Sequence, residues 1–516
     1  MTQEEVRNIL ATLPARISNV TDYWAEHPPD RPALVDAGGA WSYRQLADVV
    51  VATRTWLQER GVRPGDRFMA VGENCRSLAA ILLAAASLDA WPVLVGARMS
   101  AREIDAIRDH CMPRRVVFMI ATSRQAAEHA KRHDAAIFNA LPLGEIAVGP
   151  LNEAAQPEPL DNDISNRGAA LVYTSGSTGL PKGVMLTHRN LLFAASGSAR
   201  IRTLSPRDFL YSVLPVSHVV GLSVALLGPL LSGATVYFAA RFDAADTFRA
   251  LMNKGVTVLL GTPAMFGLMI EFARMKGFTA ANFPALRVIS TAGAPLHLAL
   301  KSEVESLFGR PLQNAYGMTE CSPNIAQTRI EAPMSDTSAG PPFPGVSLRL
   351  VGRDGRQVAE GEAGELWVKG PNVMKGYYRD PEATAAVLDP EGWFNTRDLA
   401  QLKNGNLYIV GRTKDMIVRF GFNVYPAEVE AVLNTHPAVV RSAVIGRPAQ
   451  AGQGEEEVLA FVQPAEGSSL TRNELAEHAA RRLAPYKRPT HIVLIQSMPL
   501  SANGKVIKSE LLRMAV

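Results

Sequence analysis

A loop of hydroxyl and glycine residues between two apolar segments carries the strongest chemical signal in the sequence. The loop and the cation beyond it comprise Thr174, Ser175, Gly176, Ser177, Thr178, Gly179 and Lys182. Glycines let the backbone approach an anion and turn N–H groups toward it, and the hydroxyls and Lys182 add donors and positive charge. This composition predicts a polyphosphate site, with a flexible surface loop as the alternative. The spacing to Lys182, and the lack of a Ser or Thr after it, exclude a Walker A loop.

A second segment, Asn314 to Glu320, ends in a threonine and a glutamate after a predicted strand. Thr319 can offer a hydroxyl to a phosphate. Glu320 can offer a carboxylate to Mg²⁺, a cation that prefers oxygen ligands. Two alternatives need no ligand: Glu320 caps a helix N-terminus, and Tyr316 fills the core.

The composition is that of a folded globular chain. Its 516 residues exceed what one hydrophobic core supports, so two or more domains are expected. Apolar residues make up 47% and charged residues 20%, and the net charge of +4 is too weak to indicate nucleic-acid binding. Cys75, Cys111 and Cys321 stand far apart, with neither metal-ligand nor disulfide spacing, which favours the reducing cytoplasm. The first ten residues lack the apolar stretch of a signal peptide.

Apolar runs typical of strands alternate with amphipathic runs typical of helices, which predicts an α/β fold with largely parallel sheets and helical layers. The clearest series is a strand at 256–260, a helix at 263–275, a strand at 286–290, a helix at 296–308 and a strand at 312–315. Residues 1 to about 160 are predicted to form a related α/β lobe. Short strands and turns predict a β-rich subdomain at about 341–411. The prediction is a large multi-lobed N-terminal domain over 1–411, a hinge at 412–414 and a small, mobile α+β domain over 415–516.

One uncharged stretch, 209–240, is long enough to cross a bilayer. Pro215, Gly221, Gly228, Pro229 and Gly233 break it into short pieces, and no positive cluster flanks it. A strand, a loop, a buried helix and a second strand are therefore predicted here. A membrane protein built on this stretch is the alternative.

These motifs, in this order, closely resemble those of the adenylate-forming superfamily, which includes acyl-CoA synthetases, peptide-synthetase adenylation domains and beetle luciferases. The resemblance covers the chain from about Trp41 to its end. It implies an enzyme that uses ATP and Mg²⁺ to convert a carboxylic acid to an acyl-adenylate, releasing pyrophosphate. Coenzyme A then takes the acyl group and AMP leaves. The implied partners are a small carboxylic acid and coenzyme A, without nucleic acid, and a homodimer is compatible with this description.

The resemblance also implies roles for single residues. The loop at 174–179 and Lys182 would bind phosphates, with Thr174 also a metal contact. Ala294 would contact the nucleotide and Tyr316 the adenine face. Thr319 would contact the α-phosphate, Glu320 the metal, and Asp398 and Arg412 the ribose. Most family members have a small residue where this chain has Arg397, a departure that puts a large cation beside Asp398.

In the C-terminal part, the resemblance implies that Lys505 bridges the attacking carboxylate and the α-phosphate. Such a cation is needed where negative charge gathers in the transition state, and Asn503-Gly504 predicts the turn that holds it. Lys414 would be the hinge, Gly421 would let the thiol arm of coenzyme A pass, and Arg488 would contact a coenzyme A phosphate. The alternatives are a solvated Lys505, a plain linker at 412–414 and an exposed Arg488 on a loop.

The resemblance also implies an acyl pocket with His218 at its wall and the rest of its lining made by Val219, Val220, Thr262, Ala292 and Gly293. These residues are mostly small and apolar, which predicts an apolar acyl group. A buried, purely structural His218 is the alternative. No Asp or Glu lies between 214 and 222 to pair with a substrate ammonium, which argues against amino-acid activation. The runs at 218–221 and 486–489 resemble aryl-CoA ligases of the benzoate and cinnamate type. A fatty-acyl ligase and an adenylation enzyme that loads a carrier protein in trans are the alternatives.

Overall fold

The computed structural model describes residues 3–140, 142–175, 181–352, 354–419, 422–448, 456–500 and 506–514. Within these ranges the strands are β1 Pro32–Asp36, β2 Gly39–Ser42, β3 Arg67–Gly72, β4 Trp91–Gly96, β5 Arg115–Phe118, β6 Ala136–Ala140, β7 Gly144–Val148, β8 Gly168–Ser175, β9 Pro181–Thr187, β10 Phe209–Ser212, β11 Thr235–Phe238, β12 Val258–Gly261, β13 Val288–Ala292, β14 Leu312–Gly317, β15 Asn324–Gln327, β16 Ser347–Val351, β17 Gly364–Lys369, β18 Gly376–Tyr377, β19 Phe394–Lys403, β20 Asn406–Arg412, β21 Ile417–Arg419, β22 Phe422–Val424, β23 Val439–Pro448, β24 Glu456–Pro464 and β25 His491–Leu494.

Helices cover these sheets. They are α1 Gln3–Thr12, α2 Asp22–Glu26, α3 Tyr43–Glu59, α4 Arg76–Ser87, α5 Ala101–Cys111, α6 Arg124–Arg132, α7 His188–Ile201, α8 Gly228–Leu231, α9 Ala244–Asn253, α10 Pro263–Lys276, α11 Leu298–Phe308, α12 Pro381–Ala385, α13 Pro426–Leu433, α14 Arg472–Ala480 and α15 Lys508–Met514. A π-helical segment, Val220–Leu227, leads into α8.

The largest sheet has eight strands in the order β15-β14-β13-β12-β10-β11-β1-β2. Its six central strands are parallel, and antiparallel pairs close both edges. A second sheet, β4-β3-β5-β7-β6, forms the core of the first lobe. The α/β prediction is confirmed. The first part of the chain also contributes to the larger sheet, because β1 pairs with β11.

The short strands after residue 341 form an antiparallel sheet, β16-β17-β19-β20. One short strand departs from this group: β18 pairs with β9, so Tyr377 lies opposite Val184. In the C-terminal part, β23-β24-β25 form a separate sheet with α13 and α14 packed near it.

The uncharged stretch at 209–240 folds as predicted into a strand, a loop, buried helical turns and a second strand. Glycine at 221 is required there, because a Cβ at that position would lie 2.0 Å from the carbonyl oxygen of Pro215. In the part of the chain that the structure describes, no helix is long and apolar enough to cross a membrane.

Candidate active site at the carboxyl edge of the large sheet

Four adjacent parallel strands, β10, β12, β13 and β14, end at the same edge of the large sheet. His218 and Thr262 lie in segments that follow the first two strands, Gly293 follows the third, and Tyr316 lies at the end of the fourth. In open α/β sheets, ligands bind in the crevice outside the carboxyl ends of the strands. The fold therefore gathers the predicted acyl pocket and part of the predicted nucleotide site at one edge.

The predicted phosphate loop is carried by the antiparallel β8–β9 hairpin. Thr174 is half-buried and lies opposite Lys182, and Ser175 lies opposite Pro181. Gly176, Ser177, Thr178 and Gly179 lie outside the described residues. The hairpin thus fixes both ends of the loop and places Lys182 at its base.

The carboxylate of Glu320 is held by a residue that the sequence did not reveal. The hydroxyl of Tyr377 donates a hydrogen bond to Glu320 Oε1 at 2.9 Å. The Lys182 Nζ lies 4.9 Å from the centre of the Tyr377 ring. Burial is the largest influence and raises the pKa of Glu320, while the Tyr377 hydrogen bond and the charge of Lys182 act in the opposite direction. Glu320, Tyr377 and Lys182 therefore form one electrostatic group.

This group fits a magnesium ion bound together with phosphates. Glu320 is only 8% exposed. The described residues contain no cluster of three or more His, Cys, Asp or Glu that could hold a metal without other ligands. Mg²⁺ usually binds through one or two carboxylates, with waters and substrate phosphates completing its shell. A single buried carboxylate in one group with Lys182, at the base of the predicted phosphate loop, matches that pattern.

The turn that carries Glu320 depends on a glycine. A Cβ at Gly317 would lie 1.8 Å from the carbonyl oxygen of Pro323, so a side chain there would displace the backbone. A short 3₁₀ turn, Thr319–Cys321, follows. Thr319 is half-buried on this turn, directly before the buried Glu320.

Asp398 lies between a tyrosine and an arginine. The Tyr316 hydroxyl donates to Asp398 Oδ2 at 2.5 Å, and Arg412 Nε lies 3.2 Å from Asp398 Oδ1. Asp398 faces Arg412 across the β19–β20 pair. Burial, followed by the neighbouring carboxylate, raises the pKa of Tyr316 well above its ordinary value, so its hydroxyl stays a donor at neutral pH. Both carboxylate oxygens of Asp398 thus have an oriented partner, and Tyr316 does more than fill the core.

Arg397 adopts a backbone conformation that favours glycine. Its φ is +58°, and its side chain is exposed. The Arg397 N–H donates to Asn395 Oδ1 at 2.8 Å. The positive charge of Arg397 also lowers the pKa of Tyr377, against the larger opposite effect of burial. The left-handed backbone explains why a small residue suits this position.

The predicted acyl pocket lies at the same edge of the sheet. His218 is exposed, so the alternative of a buried structural histidine is wrong. Val219 is buried, whereas Val220, Thr262, Ala292 and Ala294 are half-buried. Gly293 is exposed with φ +87°, and no atom lies within 4 Å of the place where a Cβ would stand. The space beside Gly293 is therefore open.

Only some of the site residues predicted in the C-terminal part lie among the described residues. Lys414 lies in the turn Thr413–Asp415, where Thr413 Oγ1 donates to Glu365 at 2.9 Å. Gly421 and Lys505 lie outside the described residues, although Leu500 and Val506 on either side of 501–505 form an antiparallel bridge.

Arg488 is half-buried and donates to the carbonyl oxygens of Leu483 and Ala480, both at 3.0 Å. It therefore provides hydrogen bonds to backbone carbonyl groups at and just after the end of α14. The alternative of an exposed loop cation is wrong. Its contact with coenzyme A stays a prediction.

Comparison with known proteins gives a consistent result. A family model described as AMP-binding enzyme matches residues 21–378, and a second, described as AMP-binding enzyme C-terminal domain, matches residues 428–505. A feruloyl-CoA synthase from Amycolatopsis sp is 34% identical over 95% of this chain and 97% of its own length. A long-chain-fatty-acid–CoA ligase from Yersinia pestis is 37% identical over 68% of this chain and 62% of its own length. A crystal structure of O-succinylbenzoate–coenzyme A synthetase from Bacillus subtilis with ATP and magnesium has a TM-score of 0.81 at 28% identity, covering 96% of this chain and 99% of that one.

Proposed function

We propose a function for this chain from one established premise: it belongs to the AMP-binding enzyme family. The proposal is an ATP-dependent carboxylic acid–coenzyme A ligase that works through an acyl-adenylate, with an aromatic acid as substrate. One observation carries it: residues far apart in sequence meet in two neighbouring groups. Tyr377 contacts both Glu320 and Lys182, and Tyr316 and Arg412 contact Asp398. The charge of Asp398 in turn acts on Glu320.

Each of the proposed site residues would hold a different part of the substrates in the first step. Asp398 and Arg412 would hold the ribose, and Tyr316 would offer its ring to the adenine. Lys182, the loop at 174–179 and Thr319 would hold the phosphates. Mg²⁺, held through Glu320 and Thr174, would supply charge neutralisation when bound. The substrate carboxylate then attacks the α-phosphorus in line, and pyrophosphate leaves.

Lys505 would neutralise the approaching carboxylate in that step. In the second step the thiol of coenzyme A attacks the acyl carbon, and AMP leaves. Both reactions use one site, so Lys505 has to withdraw before the thiol enters. A hinge at Lys414 is proposed for this exchange, with Gly421 beside the thiol arm and Arg488 as a phosphate contact.

An aromatic acid is favoured over a fatty acid by the comparisons that span nearly the whole chain. Feruloyl-CoA synthase and O-succinylbenzoate–coenzyme A synthetase both take their names from aromatic acids, and both align over at least 95% of this chain. The fatty-acid relative aligns over 68%. The open space at Gly293 and the small side chain of Ala292 leave room for a flat ring.

A panel of acids tests the proposal. The protein is incubated with ATP, Mg²⁺, coenzyme A and, in turn, benzoates, cinnamates and linear fatty acids, and pyrophosphate and acyl-CoA are both measured. Equal amounts of the two products, largest with an aromatic acid, support the proposal. Pyrophosphate without any acyl-CoA would favour a carrier-loading enzyme, and activity confined to linear acids would favour a fatty-acyl ligase.

Location and assembly are proposed separately. Cys75, Cys111 and Cys321 are buried and unbridged, which supports a cytoplasmic protein. A homodimer is proposed on the family resemblance alone, and sedimentation equilibrium checks it.

A further inference from the structure

A buried arginine directly after α7 has no acidic partner among the described residues. Arg202 follows α7 and is 4% exposed. Its Nη2 donates to Ser290 Oγ at 3.3 Å, and its Nη1 donates to Gln327 Oε1 at 3.3 Å and to Ser198. Within the described part of the chain, its Nε has no hydrogen-bond partner, and neither has the amide nitrogen of Gln327.

No carboxylate among the described residues compensates this charge. Burial alone lowers the pKa of Arg202, to about 10, so the guanidinium is still charged at neutral pH. A second deeply buried arginine, Arg67, has Glu158 at 3.5 Å. A buried charge without a counter-charge is strongly destabilising, so such a group usually has a partner.

The register of the sheet places Arg202 on the face that carries the acyl pocket. Ser290 and Ala292 alternate along β13 and therefore point to the same face. Ala315 lies opposite Ala292 on β14, and Gln327 lies opposite Ala315 on β15. The partners of Arg202 thus share a face with Ala292. Ser290 lies about 7 Å deeper along β13 than Ala292.

The same face is covered by the segment that bears the pocket valines. Val220 packs against a cluster that includes Leu260 and Val288, and Leu204, two residues after Arg202, packs against that cluster too. Ala292 and Ala315 are both half-buried. No large side chain at these two strand positions separates the open space at Gly293 from Ser290, which lies deeper, or from Gln327, which lies level with Ala315.

We infer that Arg202, with Ser290 and Gln327, forms a polar floor of the acyl pocket that binds a hydrogen-bond-accepting oxygen at the far end of the substrate. The reacting carboxylate lies at the mouth, near His218, and the acyl body lies over Ala292 and Ala315. The distance of about two strand residues from Ala292 down to Ser290 suits one aromatic ring with an oxygen substituent. This inference rests on the proposed ligase function and specifies its substrate further.

Matched acids test the inference. Cinnamate, 4-hydroxycinnamate and 4-carboxycinnamate differ only at the remote end, and kcat/KM for each is measured by pyrophosphate release with ATP, Mg²⁺ and coenzyme A. The wild-type protein is expected to prefer an oxygen-bearing acid over cinnamate by roughly 10- to 100-fold, the range for a hydrogen bond to a charged group. The hydroxyl and carboxylate arms show which oxygen is bound.

Arg202→Met is expected to abolish this preference, so that kcat/KM for the oxygen-bearing acid divided by kcat/KM for cinnamate falls to about one, and Arg202→Lys is expected to keep part of it. Arg200→Met is the matched control, because Arg200 is an exposed arginine in the last turn of α7, two residues before Arg202. It should keep the full preference.

Three results would overturn the inference: turnover of all three acids by the wild-type protein without a preference, an equal loss for all acids in Arg202→Met, or an undiminished preference in that variant. If Arg202→Met does not fold, Arg202→Lys and the wild-type panel still decide the matter. Absence of turnover by the wild-type protein with any acid would be a failure of the proposed function instead.

Discussion

The Tyr377 hydroxyl and the Glu320 carboxylate are 2.9 Å apart although 57 residues separate them in sequence. The pairing of β18 with β9 brings them together, and it also places the Tyr377 ring under the Lys182 ammonium. The carboxylate proposed to hold the metal is therefore positioned by a strand pairing remote from its own motif.

Tyr377→Phe should move the acid side of the pH–activity profile to higher pH. The hydrogen bond from Tyr377 favours the ionised form of Glu320, so its loss raises a pKa that burial already raises. Below that pKa the carboxyl is protonated and cannot hold the metal. We expect kcat/KM for ATP at neutral pH to fall roughly 10-fold. Tyr378→Phe is the control, because its hydroxyl donates to Glu158, and it should leave the profile in place. Identical shifts of the pH profile in both variants would contradict the assignment of its acid side to Glu320.

Glu320→Gln should stabilise the protein and inactivate it. The raised pKa of Glu320 means that the folded state binds its proton more tightly, so stability falls as pH rises above the ordinary pKa of the group. The neutral amide removes this cost, and we expect a gain of about 1 kcal/mol at pH 8 and none below pH ~4. Activity should fall at least roughly 100-fold. Thermal unfolding at the two pH values checks the stability change. A loss of stability at pH 8 would show that other groups of the protein already offset the charge of the buried Glu320 carboxylate without a metal.

The order of elements and the position of the chemical motifs could be read from the sequence, because both depend on local patterns. The strand–helix series at 256–315 alternates clearly. The glycines of the loop at 176–179 predict an anion site, which stays a prediction because these residues lie outside the described ranges. Tyr377 could not be found this way, because only the pairing of β18 with β9 gives it a role. Arg202 was also missed, since an arginine at the end of a helix looks like a surface residue until the sheet register is known. The sequence shows that Arg397 stands where a small residue is usual, but only the structure shows its left-handed backbone conformation.

Asp398→Asn should raise KM for ATP about 10-fold or more and change kcat less. The amide can no longer accept hydrogen bonds at both atoms, and the Arg412 contact loses its charge. The Tyr408 hydroxyl donates to Asp336 at 2.6 Å in a similar tyrosine–aspartate pair outside the proposed site, so Asp336→Asn is the matched control. Steady-state kinetics with ATP as the varied substrate measures both. An unchanged KM in Asp398→Asn would remove the ribose assignment.

Arg397→Gly should raise the thermal unfolding midpoint, because a non-glycine residue at positive φ costs about 1 kcal/mol. Gly405→Ala provides the converse. Gly405 has φ +73° with no atom within 4 Å of the Cβ position, so the added methyl group meets only backbone strain. We expect opposite shifts of similar size. A lower midpoint for Arg397→Gly would show that the arginine side chain makes a stabilising contact.

Lys505→Ala should separate the two half-reactions. Adenylate formation should be nearly abolished, because the cation proposed to join the carboxylate and the α-phosphate is missing. Thioester formation from preformed acyl-adenylate should be retained. Lys508→Ala removes a nearby lysine that pairs with Asp415 at 3.3 Å, and it should keep adenylate formation. Equal loss of both half-reactions in Lys505→Ala would contradict the two-state scheme.

The central claim is that the substrate carboxylate attacks the α-phosphorus of ATP at this site. Isotope transfer tests it most directly: an aromatic acid labelled with ¹⁸O in both carboxyl oxygens is turned over with ATP, Mg²⁺ and coenzyme A, and the AMP is analysed by mass spectrometry. Attack at the α-phosphorus predicts one ¹⁸O atom in each AMP formed. AMP without the label, formed together with acyl-CoA, would contradict the account.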